Sequence, residues 1–180
     1  MRIIVVEGCD GTGTSTHTEK LGYALGRELG GDRVRIYRHP PHRAGAGYWE
    51  RSLHYARERA EMVAREGEGR IIVCDRWVSS TDAIALTSTE EARWRMLGLT
   101  AIERAALPNP VLIILLDAPD AVLDERLLAR GEEIPPWARE LRRVYREGIA
   151  RMCDVTVDTS GDAGAVSERL LALSLGAVRT

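Results

Sequence analysis

Apolar residues fall into two patterns along the chain: short unbroken runs, and longer stretches where they return every three or four positions. The first predicts strands buried on both faces and the second amphipathic helices. Arg2 to Glu7 is a β-branched run halted by glycine, and Thr14 or Ser15 to about Leu29 repeats at helical spacing until Gly30-Gly31 stops it. Arg33 to Tyr37 predicts a second strand, followed by a His-Pro-Pro-His loop and a long arginine-rich helix over Tyr48 to Glu66. Arg70 to Asp75 is a third strand, the segment around Ser80 to Glu103 reads as mostly helical, and Val111 to Asp117 is the most apolar strand. Ala121 to Arg130 predicts a helix closed by Gly131. Beyond Pro135-Pro136, Trp137 to Met152 predicts another, Asp154 to Asp158 a last strand, and about Gly164 to Leu175 a terminal helix. Strands alternating with helices predict an α/β fold in three layers, a central parallel sheet with helices on both faces, as one domain over residues 1–180.

Composition narrows the chemistry. At 180 residues with 44% hydrophobic and 29% charged positions, the chain has the make-up of a globular domain. The net charge of −2 provides no general basic field, so no nucleic-acid partner is expected, and any anion must meet a local cluster. Lys20 is the only lysine, so the basic groups are almost all arginines, suited to bidentate contact with carboxylate or phosphate. Cys9, Cys74 and Cys153 are odd in number and form no C-x-x-C pair, which fits a reducing compartment. With no signal-peptide pattern at Met1 and no membrane-spanning apolar stretch, the expectation is a cytoplasmic protein without a membrane partner. His39 and His42 stand at H-x-x-H spacing, a weak metal pattern without carboxylate or cysteine nearby.

Gly8-Cys9-Asp10-Gly11-Thr12-Gly13-Thr14-Ser15 has the spacing of the P-loop, G-x-x-x-x-G-K-[ST], between the first strand and the first helix. The glycines let backbone N–H groups and the helix N-terminus face a polyphosphate, and Ser15 offers a hydroxyl to Mg²⁺. Gly8, Gly11, Thr12, Gly13, Thr14, Ser15 and Thr16 are the candidate phosphate contacts. The departure is Thr14, a short neutral residue where the motif has lysine; such a loss costs on the order of 10²- to 10³-fold in rate unless an arginine compensates.

These motifs, with others in matching order, resemble the thymidylate kinase family of P-loop nucleoside monophosphate kinases over most of the chain. The opening strand and loop carry the family's aspartate two residues after the first glycine, here Asp10. Arg38-His39-Pro40 falls at the family's Arg-Glu-Pro, and Tyr55-Ala56-Arg57-Glu58-Arg59 is similar to its Phe-Ala-Ala-Asp-Arg. Arg70 to Ser80 resembles the strand ending in Asp-Arg-Tyr and its serine-containing continuation. Leu115-Leu116-Asp117 and Glu125 to Gly131 resemble the fourth strand and the arginine-bearing start of a lid around residues 126–142.

The resemblance implies transfer of the γ-phosphate of ATP, with Mg²⁺, to a pyrimidine deoxynucleoside monophosphate, dTMP first among them. Arg76, at a strand's carboxyl end, and Arg38 would clamp the acceptor phosphate; Arg59 would bond the base edge and Tyr55 stack on it. Asp10 would face the sugar, with Ser80, Thr81 and Ile84 completing the acceptor wall. Ser15 and Asp75 would hold the metal, Asp75 alternatively orienting Arg76. Asp10, Arg76 and the lid arginines Arg126 and Arg130 are the candidate catalytic residues, the lid closing over the donor phosphates. Arg139, Arg142, Arg143 and Arg146 are read as a solvated helix face interleaved with Glu140 and Glu147. His17 and His54 are read as helix-surface or pocket-wall residues. The family also implies a homodimer, for which Ile84, Leu86, Trp94, Leu97 and Leu99 offer apolar surface.

Three departures beside Thr14 bear on specificity. The family's glycine pair after Arg-Glu-Pro is absent, Ile84 replaces an aromatic residue that guards the sugar's 2′ position, and the lid reads Gly131-Glu132-Glu133-Ile134-Pro135-Pro136 instead of a basic pattern. Two alternatives stay open: an impaired nucleotide-binding sensor or partner module, and a kinase for another nucleoside monophosphate. A GTPase is disfavoured, because no N-K-x-D guanine motif can exist in a chain whose only lysine is Lys20.

Overall fold

The structure, a computed structural model, describes residues 1–39 and 45–179; Pro40 and His42 of the predicted loop lie outside the described residues. Five strands, β1 (Arg2–Glu7), β2 (Val34–Arg38), β3 (Ile71–Asp75), β4 (Leu112–Asp117) and β5 (Val155–Asp158), form one sheet in the order β2-β3-β1-β4-β5. Every pairing is parallel, as the unbroken apolar runs predict. β1 is central, with Val6 opposite Asp75 on one side and Ile114 on the other, so the loop after it opens where the strand order reverses.

Alternate residues of each strand enter different layers. Ile4, Val6, Val73 and Ile114 pack with Leu21 and Leu25 of α1 (Thr14–Leu29) and with Val166 and Leu170 of the C-terminal helix. On the opposite face Ile3, Val5 and Ile72 meet Met62 of α2 (Tyr48–Arg65) and Val78 of α3 (Val78–Leu86). Leu115 meets Ala83 of α3, Leu123 of α5 (Asp120–Ala129) and Leu141, Val144 and Tyr145 of α6 (Ala138–Glu147).

Three predicted helices differ in extent. The segment expected as one helix around Ser80 to Glu103 is two, α3 and α4 (Glu90–Ala106), because the hydroxyls of Thr87 and Ser88 donate back to Ile84 O at 3.0 and 2.7 Å and end the first. The helix expected over Trp137 to Met152 stops at Gly148 and continues as a 3₁₀ turn, Ile149–Met152. The last helix, α7 (Ala163–Arg179), runs beyond Leu175 because Val178 is still buried on the sheet.

Candidate active site

β1 ends in Glu7 and delivers the chain to Gly8, where a Cβ would lie 2.4 Å from Thr12 Oγ1 and 2.9 Å from Leu116 O. Gly11 and Gly13 hold φ of 91° and 86°, the left-handed region that glycine enters without strain. Gly13 is the N-cap of α1 and has no side chain to cap it, nor is there an acidic residue in the helix's first turn. The first N–H groups of α1 and its positive dipole end are therefore left for an anion. The Thr12 hydroxyl donates to Cys9 O at 2.8 Å and steadies the turn. Thr14 is buried, whereas Ser15 and Thr16 are exposed at the helix start. Burial pushes the Cys9 thiol up to about 11, so it offers no nucleophile at neutral pH. His17 is buried below Gly13, and desolvation, helped by Lys20 and Arg126, lowers its proton affinity.

Ser15 and Asp75, predicted as metal partners, are adjacent: the Ser15 hydroxyl donates to Asp75 Oδ2 at 2.5 Å. Asp75 Oδ1 is buried and takes no hydrogen bond from the protein. A hydroxyl and a carboxylate oxygen lacking a partner, beside a phosphate cradle, suit Mg²⁺, which prefers one or two protein oxygens together with phosphate and water. No cluster of three or more ligating His, Cys, Asp or Glu occurs among the described residues, and His42 of the H-x-x-H pattern lies outside them.

Arg76 follows directly and is the one non-glycine residue with positive φ among those described, at 69°. A left-handed arginine costs roughly 1–2 kcal/mol and needs a surrounding that enforces it. Its N–H donates to Val6 O at 2.9 Å, and the next N–H, of Trp77, to Glu7 Oε1 at 2.8 Å. Glu7 Oε2 accepts the Ser80 hydroxyl at 2.7 Å, and Ser80 lies 3.1 Å from the Tyr145 hydroxyl. Burial raises the Glu7 carboxyl's pKa against the opposing effect of these donors. The turn so fixed aims the Arg76 guanidinium at Asp10 Oδ1, 2.6 Å away.

Arg76 and Asp10 stand in a cleft of about 460 Å³. Tyr55, Arg59, Ser80, Thr81 and Ile84 line it as expected, together with Ser15 and Asp75. Arg38 does not: it turns to Glu19 on α1 at 2.7 Å, with Ser15 O at 3.5 Å. Arg59 is 1% exposed and gives Nε and Nη2 to Glu103 of α4 at 2.7 and 2.8 Å. Its Nη2 also lies 3.4 Å from Thr81 Oγ1, and its Nη1 3.4 Å from His39 Nε2. His39, unremarked as a pocket residue in the sequence, packs its ring 4.5 Å from that of Tyr55, and desolvation, then Arg59 and Arg76, drives its pKa down to about 3. Trp137, Leu141 and Tyr145 close the cleft from the lid side. Their helical spacing reads equally as core, so no sequence signal separated them from packing residues.

The expected lid arginines are not equivalent. Arg126 reaches Gly11 O and the Thr159 hydroxyl, each at 3.2 Å, and so braces the glycine loop from α5. Arg130 is on the surface with Glu132. The expectation of a solvated arginine face on α6 holds for Arg143, paired with Glu140 and Glu147, and for the exposed Arg146, but needs correction at Arg142. Arg142 is 2% exposed and bonded to Asp124 at 2.6 Å, because α5 packs over that flank of α6; Arg146 is pinned to Asp117 at 2.8 Å.

No family model matches the chain. It is 28% identical to the thymidylate kinase of Pelotomaculum thermopropionicum over 168 residues, covering 81% of this chain and 75% of that protein. It is 28% identical to the putative thymidylate kinase of Treponema pallidum over 203 aligned positions, covering 93% and 92%. In fold it is similar to the crystal structure of thymidylate kinase from Ehrlichia chaffeensis, at TM-score 0.69 and 18% identity over 97% of this chain and 98% of that one. The thymidylate kinase of Candida albicans gives TM-score 0.67 at 16% identity, over 97% and 91%. Sequence likeness across most of its length and likeness of fold agree: the chain is similar in sequence and in architecture to thymidylate kinases, with the five-stranded parallel α/β sheet of a P-loop fold.

Proposed function

We propose that the protein is a nucleoside monophosphate kinase that transfers the γ-phosphoryl group of ATP to a pyrimidine deoxynucleoside monophosphate, dTMP before others. The observation that carries the reading is the strained Arg76, held at the mouth of a nucleotide-sized cleft and next to the Ser15–Asp75 pair of the phosphate loop. Strain of this kind persists at sites where a side chain has to be aimed.

In this reading Arg76 clamps the acceptor phosphate, and Asp10 leaves its pairing with Arg76 to face the sugar. Arg59, immobilised by Glu103, presents a guanidinium N–H to the base edge with Thr81 beside it, while Tyr55 stacks on the base. Arg38 joins the acceptor phosphate only by leaving Glu19. The loop from Gly8 through Gly11, Thr12, Gly13, Thr14, Ser15 and Thr16 cradles the donor phosphates with its N–H groups, and Arg126 keeps that loop in shape. Ser15 and Asp75 would hold Mg²⁺, which would neutralise phosphate charge there. An acceptor oxygen attacks the γ-phosphorus; the new P–O bond forms as the bond to the β–γ bridging oxygen breaks, and that electron pair leaves with ADP.

A coupled ADP-release assay across the nucleoside monophosphates tests this. Turnover with dTMP above the others is expected; turnover only with another acceptor replaces the substrate, and nucleotide binding without turnover establishes the second reading. That reading, a nucleotide sensor, is favoured by one observation, the buried neutral Thr14 at the lysine position. For the assembly we propose a homodimer, since Leu86 and Trp94 are exposed at 37% and 66% on the joined helices α3 and α4. A monomeric mass by light scattering at high concentration removes it. Among the described residues no helix is long and apolar enough to cross a membrane.

A further inference from the structure

With Thr14 in the loop, the charge of a terminal phosphate must be met from outside it. Arg126 is already bonded to Gly11 O and Thr159, and Arg130 sits on the surface with Glu132. Arg142 is placed differently. It is 2% exposed; its Nη2 donates to Asp124 Oδ1 at 2.6 Å, while its Nη1 is buried and makes no hydrogen bond, the Asp120 carboxylate standing 3.8 Å away. It lines a cavity of about 40 Å³ whose walls include Cys9 and Asp10 of the loop and Glu132 and Glu133 of the lid. A buried guanidinium with an unused donor beside a phosphate cradle is an incomplete anion contact, because a charged donor left without an acceptor is costly.

We propose that Arg142 is a direct ligand of the terminal phosphoryl group of a bound nucleoside triphosphate, supplying from α6 the cation that Thr14 removes from the loop. The inference rests on the kinase reading and names the group that completes its donor site. Asp124 holds one edge of the guanidinium and orients it, leaving Nη1 for a phosphate oxygen, so the contact breaks no hydrogen-bonded pair. Glu132 and Glu133 must turn away as the phosphate arrives, and Arg130 already holds Glu132. During transfer the three equatorial oxygens of the γ-phosphoryl group carry the developing charge, where a fixed cation acts most strongly.

The test compares ATP with ADP, since only ATP has the contacted group. Calorimetry of Arg142→Gln in Mg²⁺ is expected to show ATP affinity reduced about tenfold or more with ADP affinity held. Turnover should fall by about 10²-fold, and adding Thr14→Lys should restore much of it, a rescue that a merely structural arginine would not permit. If Arg142→Gln does not fold, Arg142→Leu/Asp124→Leu removes charge and counter-charge together and is read the same way. Equal weakening of ATP and ADP, or an unchanged preference for ATP, in a folded variant overturns the assignment of Arg142. A wild type that binds neither nucleotide overturns the kinase reading itself.

Discussion

Around the cleft proposed for the acceptor the protein supplies its own counter-charges: Arg59 is met by Glu103 at 2.7 Å and Arg76 by Asp10 at 2.6 Å. The adjoining donor loop is the reverse, a ring of backbone donors with an uncapped helix start and a threonine where its cation belongs. The cleft is therefore built in the absence of ligand, and its arginines are aimed before substrate arrives. The loop leaves the first N–H groups of α1 without a side-chain cap. Preorganisation costs stability on the first side and leaves charge unbalanced on the second, which separates the outcomes expected from mutation.

The largest effect is expected where that internal balance is removed. Glu103→Ala strands the Arg59 guanidinium in the interior and should destabilise the fold by about 3–5 kcal/mol in urea titrations. On the donor side, Ser15→Ala touches an exposed hydroxyl and should stay within about 0.5 kcal/mol. Equal losses for the two variants would break the contrast.

Next is Arg76. Arg76→Ala should weaken acceptor binding by roughly 2–5 kcal/mol and leave ATP affinity nearly intact, read by calorimetry with each nucleotide. Arg76→Gly should lose the acceptor equally yet be more stable than Arg76→Ala by about 1–2 kcal/mol, because glycine relieves the positive φ. Loss of both nucleotides together would place Arg76 at the donor side instead.

Thr14→Lys addresses the loop directly. With Arg142 supplying the cation from α6, Thr14→Lys in the wild type is expected to change turnover and ATP affinity by less than about tenfold, under about 1.4 kcal/mol in the barrier. A rise of about 10²-fold, near 2.7 kcal/mol, would mean that no other group does this work and would count against Arg142.

What could be read from the sequence was local. The strand of Arg2 to Glu7, the glycine loop and α1 follow from β-branching, glycine spacing and helical period, and the structure has them where they were expected. That Asp10, Asp75 and Arg76 would lie together was legible because each is within three residues of a strand's end, and the place of Ser15 because the glycine spacing puts it in the first turn of α1. The misses are long-range. Arg59 and Glu103 are 44 positions apart on different helices, and nothing local announces their pairing. Arg142 sits among charged neighbours and looked solvated; its burial comes from the aspartates of α5, at positions 120 and 124, one helical turn apart. Arg38 matched its motif, yet the nearer carboxylate of Glu19 turns its side chain away from the cleft.

The smallest effect sharpens the contrast through pH. His39 is held neutral in the acceptor wall because burial, with Arg59 and Arg76 near it, lowers its pKa to about 3 from an ordinary 6.5. Between those values the unfolded chain binds a proton that the folded protein refuses, so stability declines as pH falls from 6.5 toward 3 and is unaffected by this residue above that range. At pH 5 the loss amounts to about 2 kcal/mol, from 1.5 pH units at about 1.4 kcal/mol each. Glu7, whose carboxyl is raised by burial, contributes the opposite slope above 4.5: the folded protein keeps its proton longer, and stability is lost as pH rises through that range. Comparing wild type with His39→Asn at each pH cancels Glu7 and His17 and isolates the imidazole. Urea midpoints from pH 7 to pH 5 should fall less steeply for the variant by that amount. Parallel curves would mean that His39 takes up its proton in place, with the acceptor wall opening to water to allow it.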